Sequence, residues 1–275
     1  MIRTTLVAVA LVALSAAPAV AQHAEDSPRP GARWLTAGDA LAAADADDGQ
    51  DAAETREAAS DGFTPWRRRV GPAYPDDPVR SFGRWAQELP ATLWDDTKYT
   101  FTDPQTLLLL TLAAGAGGVV HCSADHEVAD HYAEHGSCLS DDLDNWTDAL
   151  GSPATHFGIG GAMLLTSLHR GDDLNYEKSK TLLNALAING LTTLALKGIV
   201  GSESPNGADF GWPSGHTSSS FCFAAVMYDQ YGPEIGIPLY AFAAFVGYER
   251  VDARNHDLSD VVSGALIGIA IGRAV

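Results

Sequence analysis

The chain has 275 residues, of which 46% are hydrophobic and 19% are charged, and this composition excludes a wholly disordered chain and a coiled-coil rod. Acidic residues outnumber basic ones by 35 to 17, so the formal net charge is -18. Because the phosphate backbone attracts basic surfaces, nucleic acid is excluded as the expected partner. A small anionic substrate is still compatible with this acidic composition, provided that a local cluster of hydrogen-bond donors opposes the overall negative field.

The first 21 residues have the pattern of a secretory signal peptide. A positive start at Arg3 precedes the apolar run 6–14, and residues 19–21, Ala-Val-Ala, supply a small-x-small cleavage site. The alternative is an N-terminal membrane anchor, which fits less well because the apolar run is short and stops before Pro18. The pattern predicts an exported protein of the periplasm or cell envelope.

Export would place the three cysteines of the chain in an oxidising compartment. Cys122 and Cys138 are predicted to form a disulfide across the fifteen residues that separate them. Cys222 lies in an apolar run, where a buried structural thiol is expected.

Composition divides the rest of the chain into three segments. Residues 22–61 contain ten acidic and three basic residues and few large apolar side chains, which predicts a disordered acidic linker. Residues 62–103 form a lead-in segment in which arginines, tryptophans and prolines alternate. Two interpretations of this segment stand side by side: a segment on a membrane surface, or an irregular segment wrapped over the next domain. Residues 104–275 are predicted to form a helical domain.

The predicted helical domain contains six apolar stretches, at 107–120, 157–168, 182–196, 221–228, 235–248 and 261–271. No strand-like alternation bounded by hairpin signals separates them, so the predicted fold class is an all-α six-helix bundle. A membrane span needs about 20 mostly apolar residues, and several stretches are shorter or carry polar side chains. The mean hydropathy of the chain is -0.03, and this value does not decide whether the helices cross a bilayer.

A stretch rich in His, Asp and Cys runs from His121 to Cys138. His126 and Asp130 would share a helical face, as metal ligands can. No Cys-x-x-Cys pair is present, and a solvated connection between two helices is the preferred interpretation. No metal site is predicted there.

Three polar segments near the C-terminus are hard to explain as packing. The first runs from Lys197 to Pro205, the second is the tetrapeptide 213–216, and the third runs from Glu249 to Asp260. Each alone would be ordinary, as a helix start, a surface histidine or a lysine that complements a helix end. Their order and their places beside apolar helices favour one shared site.

The second segment, Pro213-Ser214-Gly215-His216, predicts an anion site at the start of a helix. Proline and the small residues leave backbone N–H groups free at the positive end of the helix dipole. His216 follows at once, so a titratable proton donor stands beside that site.

The third segment places His256 and Asp260 four residues apart, on one helical face. At this spacing a carboxylate can hold an imidazole so that its other nitrogen acts as a nucleophile. Lys197 and Arg250 would supply positive charge to a tetrahedral oxyanion, the arginine through its bidentate fork.

Together the three segments resemble the signature of the type 2 phosphatidic acid phosphatase and vanadium haloperoxidase superfamily. That signature is Lys, six residues, Arg-Pro; then Pro-Ser-Gly-His; then Ser-Arg, five residues, His, three residues, Asp. The matching positions are Lys197, Pro205, 213–216, Arg250, His256 and Asp260. The resemblance covers the predicted helical domain.

The resemblance implies a phosphatase without metal or cofactor, acting on a phosphate monoester or diphosphate, with a lipid phosphate favoured over a small soluble ester. His256 would attack phosphorus to form a phosphohistidine while Asp260 orients it, and His216 would serve as acid and then as base. The groups that would hold the phosphate oxygens are Lys197, Ser214, Gly215 and Arg250. Vanadate would fit the same site, and a lipid substrate would imply membrane association.

Two positions depart from the family signature: Ser204 stands in place of Arg, and Glu249 in place of Ser. Loss of one charged clamp costs about 3–4 kcal/mol of transition-state binding at comparable oxyanion sites. Glu249 adds negative charge beside the anion site. Arg254 is the nearest substitute for the lost arginine in the sequence.

Three functions follow from these observations. The first is a cell-envelope phosphatase. The second is a catalytically weakened relative that binds an anion or a partner, which Ser204 and Glu249 favour. The third is a vanadate-dependent haloperoxidase, which is least favoured because vanadate binding also relies on the missing arginine.

Overall fold

The computed structural model of the protein describes residues 78–275, with side chains from residue 82 onward. The predicted signal peptide (1–21), the acidic linker (22–61) and the first part of the lead-in segment (62–77) lie outside the described residues. Within 78–275 the chain forms helices and no strand, which confirms the predicted all-α class. The helices are α1 (Pro78–Thr100), α2 (Pro104–Ser123), α3 (Asp125–His135), α4 (Asp141–Gly151), α5 (Pro153–Arg170), α6 (Asp173–Val200), α7 (Gly215–Tyr231), α8 (Pro233–Asp252) and α9 (Leu258–Ala274).

The six apolar stretches of the sequence lie in α2, α5, α6, α7, α8 and α9. Three further helices were not predicted. One of them, α1, occupies the second half of the lead-in segment, which is therefore not irregular there. The buried carboxylate of Asp96 in α1 accepts a hydrogen bond from Asn184 Nδ2 of α6 at 2.8 Å, so α1 packs against the bundle.

Side-chain caps define where several helices begin. Asp103, Ser152 and Asp172 each accept a hydrogen bond from the backbone N–H three residues later, at the starts of α2, α5 and α6. Such caps satisfy N–H groups that have no partner within the helix. Residues next to each helix in the sequence thus set the starts of α2, α5 and α6.

Helix α7 lies at the centre of the bundle, because every one of its residues from 217 to 226 is buried, on all faces of the helix. Helix α9 packs on α7 through Gly264, Gly268 and Gly272, which are spaced four apart on one face. A Cβ on Gly264 would lie 2.7 Å from the carbonyl oxygen of Ser214. This close approach holds the N-terminal half of α9 beside the start of α7.

The predicted disulfide is wrong, because Cys122 and Cys138 are free, exposed thiols in the structure. Helix α3 lies between them, and its 11 residues span about 16 Å. A disulfide needs Cα atoms within about 7 Å. Cys222 is free and buried, as predicted, and burial raises the pKa of its thiol.

The His-rich stretch from His121 to Cys138 was expected to be a solvated connection between two helices, and this expectation is wrong. Most of the stretch is helical, and some of its side chains are buried against the bundle. Val128 and Tyr132 of α3 are buried in a cluster with Val251 and Leu258. After α3, the backbone N–H groups of Cys138 and Leu139 donate to the buried carboxylate of Asp252 at 3.0 and 3.1 Å. His126 and Asp130 do share a face, where they form a 2.8 Å ion pair. Among the described residues no group of three or more candidate ligands is placed to hold a metal.

Two of the described helices, α2 and α6, are long and apolar enough to cross a membrane by length and composition. Only 17% of the apolar window of α2 is buried inside the protein. Large apolar side chains therefore lie on the surface of both helices: Leu107, Leu108, Leu112 and Val119 on α2, and Leu191, Leu194, Ile199 and Val200 on α6.

Candidate active site

The start of α7 is the point at which the three signature segments meet. The backbone N–H of Ser214 donates to the carbonyl oxygen of Asp260 at 3.0 Å, which joins the second segment to the third. A Cβ built on Gly215 would lie 3.9 Å from Cε of Lys197, so the first segment reaches the same place. Lys197 comes from the last turn of α6 and Arg250 from the last turn of α8.

Ser214 is the N-cap of α7, and its hydroxyl is committed to that role. Its Oγ accepts from the backbone N–H of Thr217 at 3.4 Å and lies 2.9 Å from Thr217 Oγ1, and the residue is fully buried. Gly215 and His216 follow as the first residues of the helix, where backbone N–H groups lack intrahelical partners. This end of α7 carries the positive pole of the helix dipole.

Lys197 holds the loop that precedes α7. Its ammonium donates to the carbonyl oxygens of Phe210 and Gly211, at 2.5 and 3.1 Å. Lys197 therefore lies beside the helix start with its charge directed at this loop, and it is among the groups whose charge acts on His216.

Ser204, which replaces the family arginine, is buried in a tight turn of the same loop. Its backbone N–H donates to the Ala208 carbonyl oxygen, and its own carbonyl oxygen accepts from Gly207 N–H, both at 2.8 Å. Arg254 reaches this turn, since its Nη2 donates to the carbonyl oxygen of Pro205 at 3.1 Å. Its Nε is buried and has no hydrogen-bond partner among the described residues. The structure thus places Arg254 next to position 204.

The pair of His256 and Asp260 has the geometry expected from its spacing. His256 Nδ1 lies 3.1 Å from Asp260 Oδ2, and the same oxygen accepts the backbone N–H of Asp257 at 3.2 Å. The carboxylate is therefore fixed at the start of α9 by a capping contact as well as by the histidine. Because the hydrogen bond uses Nδ1, Nε2 is the nitrogen of His256 available for chemistry.

Arg250 is held by two carboxylates in the free protein. Glu249 binds it in a bidentate manner, with Nε–Oε2 and Nη2–Oε1 distances of 2.5 Å. Asp148, from α4, lies 2.6 Å from Nη1. Burial raises the pKa of Glu249 to about 8, with the hydrogen bond to Arg250 opposing the shift and Asp144 adding to it. The residue that departs from the family pattern therefore binds the arginine directly.

His216 faces the same group of charges. Burial lowers the pKa of His216 to about 4; Arg250, His256 and Lys197 lower it too, and Asp148 opposes them. Its Nε2 lies 3.3 Å from Asp148 Oδ1. His216 and Arg250 thus share a contact with Asp148, and the charges of Arg250, His256 and Lys197 all act on His216.

Asp148 was missed by sequence reasoning, because it lies outside all three segments and in a helix that was not predicted. His156 of α5 was missed too: it is buried, and its Nδ1 lies 2.8 Å from Ser219 Oγ. Burial lowers the pKa of His156 to about 4, and the charge of His216 adds to the shift. Neither residue carries a local sequence signal that would have identified it.

The sequence model of the PAP2 superfamily matches residues 108–275, which include every one of these site residues. The chain belongs to the PAP2 superfamily. A curated relative is the lipid A 1-phosphatase of Porphyromonas gingivalis, which is 35% identical over 91 residues. The match covers 32% of this chain and 20% of the relative, so the chain spans about a fifth of the relative's length. No solved structure matches the chain.

Compared with the family signature, the site of this PAP2 chain lacks one group and contains one extra feature. The gap is the guanidinium that the family signature places at position 204. The addition is a pair of acidic side chains: Glu249 and Asp148 both contact the remaining arginine, Arg250. Chemically, the arrangement offers a nucleophilic nitrogen, a second histidine for proton transfer, and cationic and N–H donors around one point.

Proposed function

We propose that this PAP2 chain is a cell-envelope phosphatase that hydrolyses a phosphate monoester or diphosphate, and that its preferred substrate is a lipid phosphate. The observation that supports the proposal is a set of contacts at the start of α7, which link Ser214 to the pair of His256 and Asp260, and His216 to Arg250 through Asp148. Phosphoryl transfer needs in-line attack and compensation of charge on the oxygens, and these groups supply both.

In the first step His256 Nε2 attacks phosphorus, and the bond from phosphorus to the leaving oxygen breaks. His216, in its protonated form, gives a proton to that oxygen, and a phosphohistidine remains. Asp260 keeps the proton on Nδ1 of His256 and so keeps Nε2 nucleophilic. A bound phosphate adds negative charge beside His216, which favours the protonated form that this step requires.

In the second step water attacks phosphorus and the N–P bond of the phosphohistidine breaks. His216 now accepts a proton from the water, so one group serves as acid and base in turn. Lys197, Arg250 and the N–H groups at Gly215 and His216 stabilise charge on the phosphoryl oxygens throughout. No metal is needed, and vanadate would compete for the same donors.

The surface beside Lys197 supports a lipid substrate. A cavity of about 490 Å³ is lined by Leu194, Lys197, Gly198, Asp209 and Phe210. Leu194 and Phe210 are more than half exposed. A phosphate held at the start of α7 would place an attached acyl chain over this apolar surface, which continues onto the exposed leucines of α6. The P. gingivalis relative is likewise named as a lipid phosphatase.

Three parallel assays on the detergent-solubilised protein test the proposal. Phosphate release is measured from a lipid A preparation and from phosphatidic acid, then from p-nitrophenyl phosphate, and halide oxidation is measured with added vanadate. We expect phosphate release, faster from the lipids than from the soluble ester. Equal rates would contradict the lipid preference, and halide oxidation without phosphate release would favour the haloperoxidase.

The second candidate, a weakened relative that binds an anion or partner, is favoured by the loss of arginine at position 204 and by the two carboxylates on Arg250. The residues proposed to make and break bonds are all present, so we expect slow turnover rather than none. Binding without any release of phosphate would favour this candidate.

Ser204→Arg is expected to raise kcat/KM for phosphate release by about tenfold or more, because a guanidinium would again stabilise the transferring phosphoryl group. The matched control is Asn206→Arg, which adds the same charge at an exposed position of the same loop. Steady-state kinetics of both variants and the wild type make the comparison. An equal gain in both would show a general charge effect, and no gain at position 204 would show that Arg254 already supplies the charge or that Glu249 captures the new side chain.

A further inference from the structure

A single carboxylate oxygen bridges two groups of the proposed phosphate site. Asp148 Oδ1 lies 2.6 Å from Arg250 Nη1 and 3.3 Å from His216 Nε2. In the proposed reaction the same two nitrogens face the phosphate, one as a charged clamp and the other as the proton donor. An anionic oxygen between them therefore lies where an oxygen of the phosphate group would lie.

We propose that the Asp148 carboxylate occupies the place of a phosphate oxygen in the free protein and leaves it when a phosphate group binds. Asp148 is thereby a residue that sets affinity for phosphate, by competing for Arg250 and His216. The inference rests on the proposed function only in that it takes this site to bind phosphate. It assigns a role to a residue outside all three signature segments.

The two carboxylates on Arg250 differ in their freedom to move. The Glu249 side chain is fully buried and binds through both oxygens, so turning it away would leave a buried charge without its partner. The Asp148 side chain is 47% exposed, so its carboxylate can turn into water and be solvated there. Asp148 is therefore the group that an incoming anion displaces, while Glu249 continues to hold the guanidinium in place.

Competition follows from charge as well as from position. A phosphate dianion and the Asp148 carboxylate cannot both lie against Nη1 of Arg250 without strong repulsion between them. Each binding event must therefore break the 2.6 Å ion pair, and this lowers the observed affinity. Return of the carboxylate would in turn favour release of inorganic phosphate after the second step.

The test measures binding of inorganic phosphate to the full-length, detergent-solubilised protein by calorimetry at neutral pH and fixed ionic strength. Asp148→Asn removes the charge and keeps the size of the side chain. Asp142→Asn, on the exposed face of the same helix, removes one equal charge away from the site. We expect the Kd for phosphate to fall about tenfold in Asp148→Asn and to stay within twofold of the wild type in Asp142→Asn.

Asp148→Ser provides a second variant in case the asparagine amide keeps a hydrogen bond to Arg250, and thermal unfolding checks that each variant is folded. Unchanged or weaker phosphate binding in both Asp148 variants would overturn the inference, since it would show that the carboxylate supports the site. Binding needs no turnover, so the comparison is independent of the phosphatase assays. If no ester is hydrolysed and the Asp148 variants still bind phosphate more tightly, the proposed function fails and this inference stands.

Discussion

Replacing His256 by alanine is expected to lower the rate of phosphate release by at least about a thousandfold, with the fold retained. His256 is the proposed nucleophile, and no phosphohistidine can form without its Nε2. The side chain is 12% exposed and its one described hydrogen-bond partner is Asp260, a residue of the same segment, so we expect its removal to leave the helices in contact. Initial rates with the preferred substrate and thermal unfolding of the same preparation measure the two effects.

The matched control for this variant is His126→Ala, which removes a histidine of α3 that is 92% exposed and lies 2.8 Å from Asp130. Its activity should equal that of the wild type. The P–N bond of phosphohistidine is hydrolysed in acid but is stable at high pH. A reaction with radiolabelled substrate that is stopped at high pH should therefore leave label on the wild type and none on His256→Ala. Retained activity in His256→Ala would contradict the proposed mechanism, and label on the variant would assign the nucleophile to another residue.

The second large effect is expected on stability. Gly268→Ala should lower the free energy of unfolding by about 2–3 kcal/mol and Tm by about 5–10 °C. A Cβ on Gly268 would overlap the carbonyl oxygen of Ser218 and lie 2.9 Å from the backbone nitrogen of Cys222. Both of these atoms belong to the backbone of α7, so neither can move aside without moving the helix.

Gly190→Ala is the matched control, because a Cβ on this glycine of α6 would have no atom within 4 Å. There alanine should raise stability by about 0.5–1 kcal/mol, since glycine is the more flexible residue in a helix. Thermal unfolding of both variants in the same detergent makes the comparison. Equal stability of Gly268→Ala and the wild type would show that α9 and α7 are not held as closely as the structure places them.

Both predictions depend on the packing of α9 against α7, because residues of the proposed site lie at the start of each helix. His256 and Asp260 lie at the start of α9, and Ser214 to His216 at the start of α7. The glycines of α9 at 264, 268 and 272 let this helix approach α7 closely. The hydrogen bond from Ser214 N–H to the Asp260 carbonyl oxygen then fixes the positions of the two helix starts relative to each other. A shift of α9 would therefore be expected to reduce activity as well as stability.

Much of the fold could be predicted because its signals are local. Apolar stretches of helical length indicated six of the described helices, and the absence of strand patterns indicated the all-α class. The more polar helices α1, α3 and α4 were missed because none of them contains a long apolar stretch. Asp96 of α1, for example, is buried where it accepts a hydrogen bond from Asn184 of α6, a contact between helices that no local pattern indicates.

The cysteines show how a long-range expectation fails. Compartment and spacing made a disulfide between Cys122 and Cys138 reasonable, but helix α3 forms between them and keeps both thiols free. Whether two residues meet depends on the path of the chain between them, and the path here was not evident from composition.

The sequence by itself determined the class of fold, the six apolar helices and the identity of the residues in the three signature segments, because helix periodicity, helix starts and short motifs are properties of neighbouring residues. Only the tertiary structure decided what surrounds those residues. It placed Asp148 against Arg250 and His216, turned Glu249 onto Arg250, and brought Arg254 to the turn that contains Ser204. Glu249 and Arg250 are neighbours in α8, but the other contacts join residues of different helices and loops. The charge around the site therefore depends on which side chains the packing of the bundle brings within a few ångströms of one another.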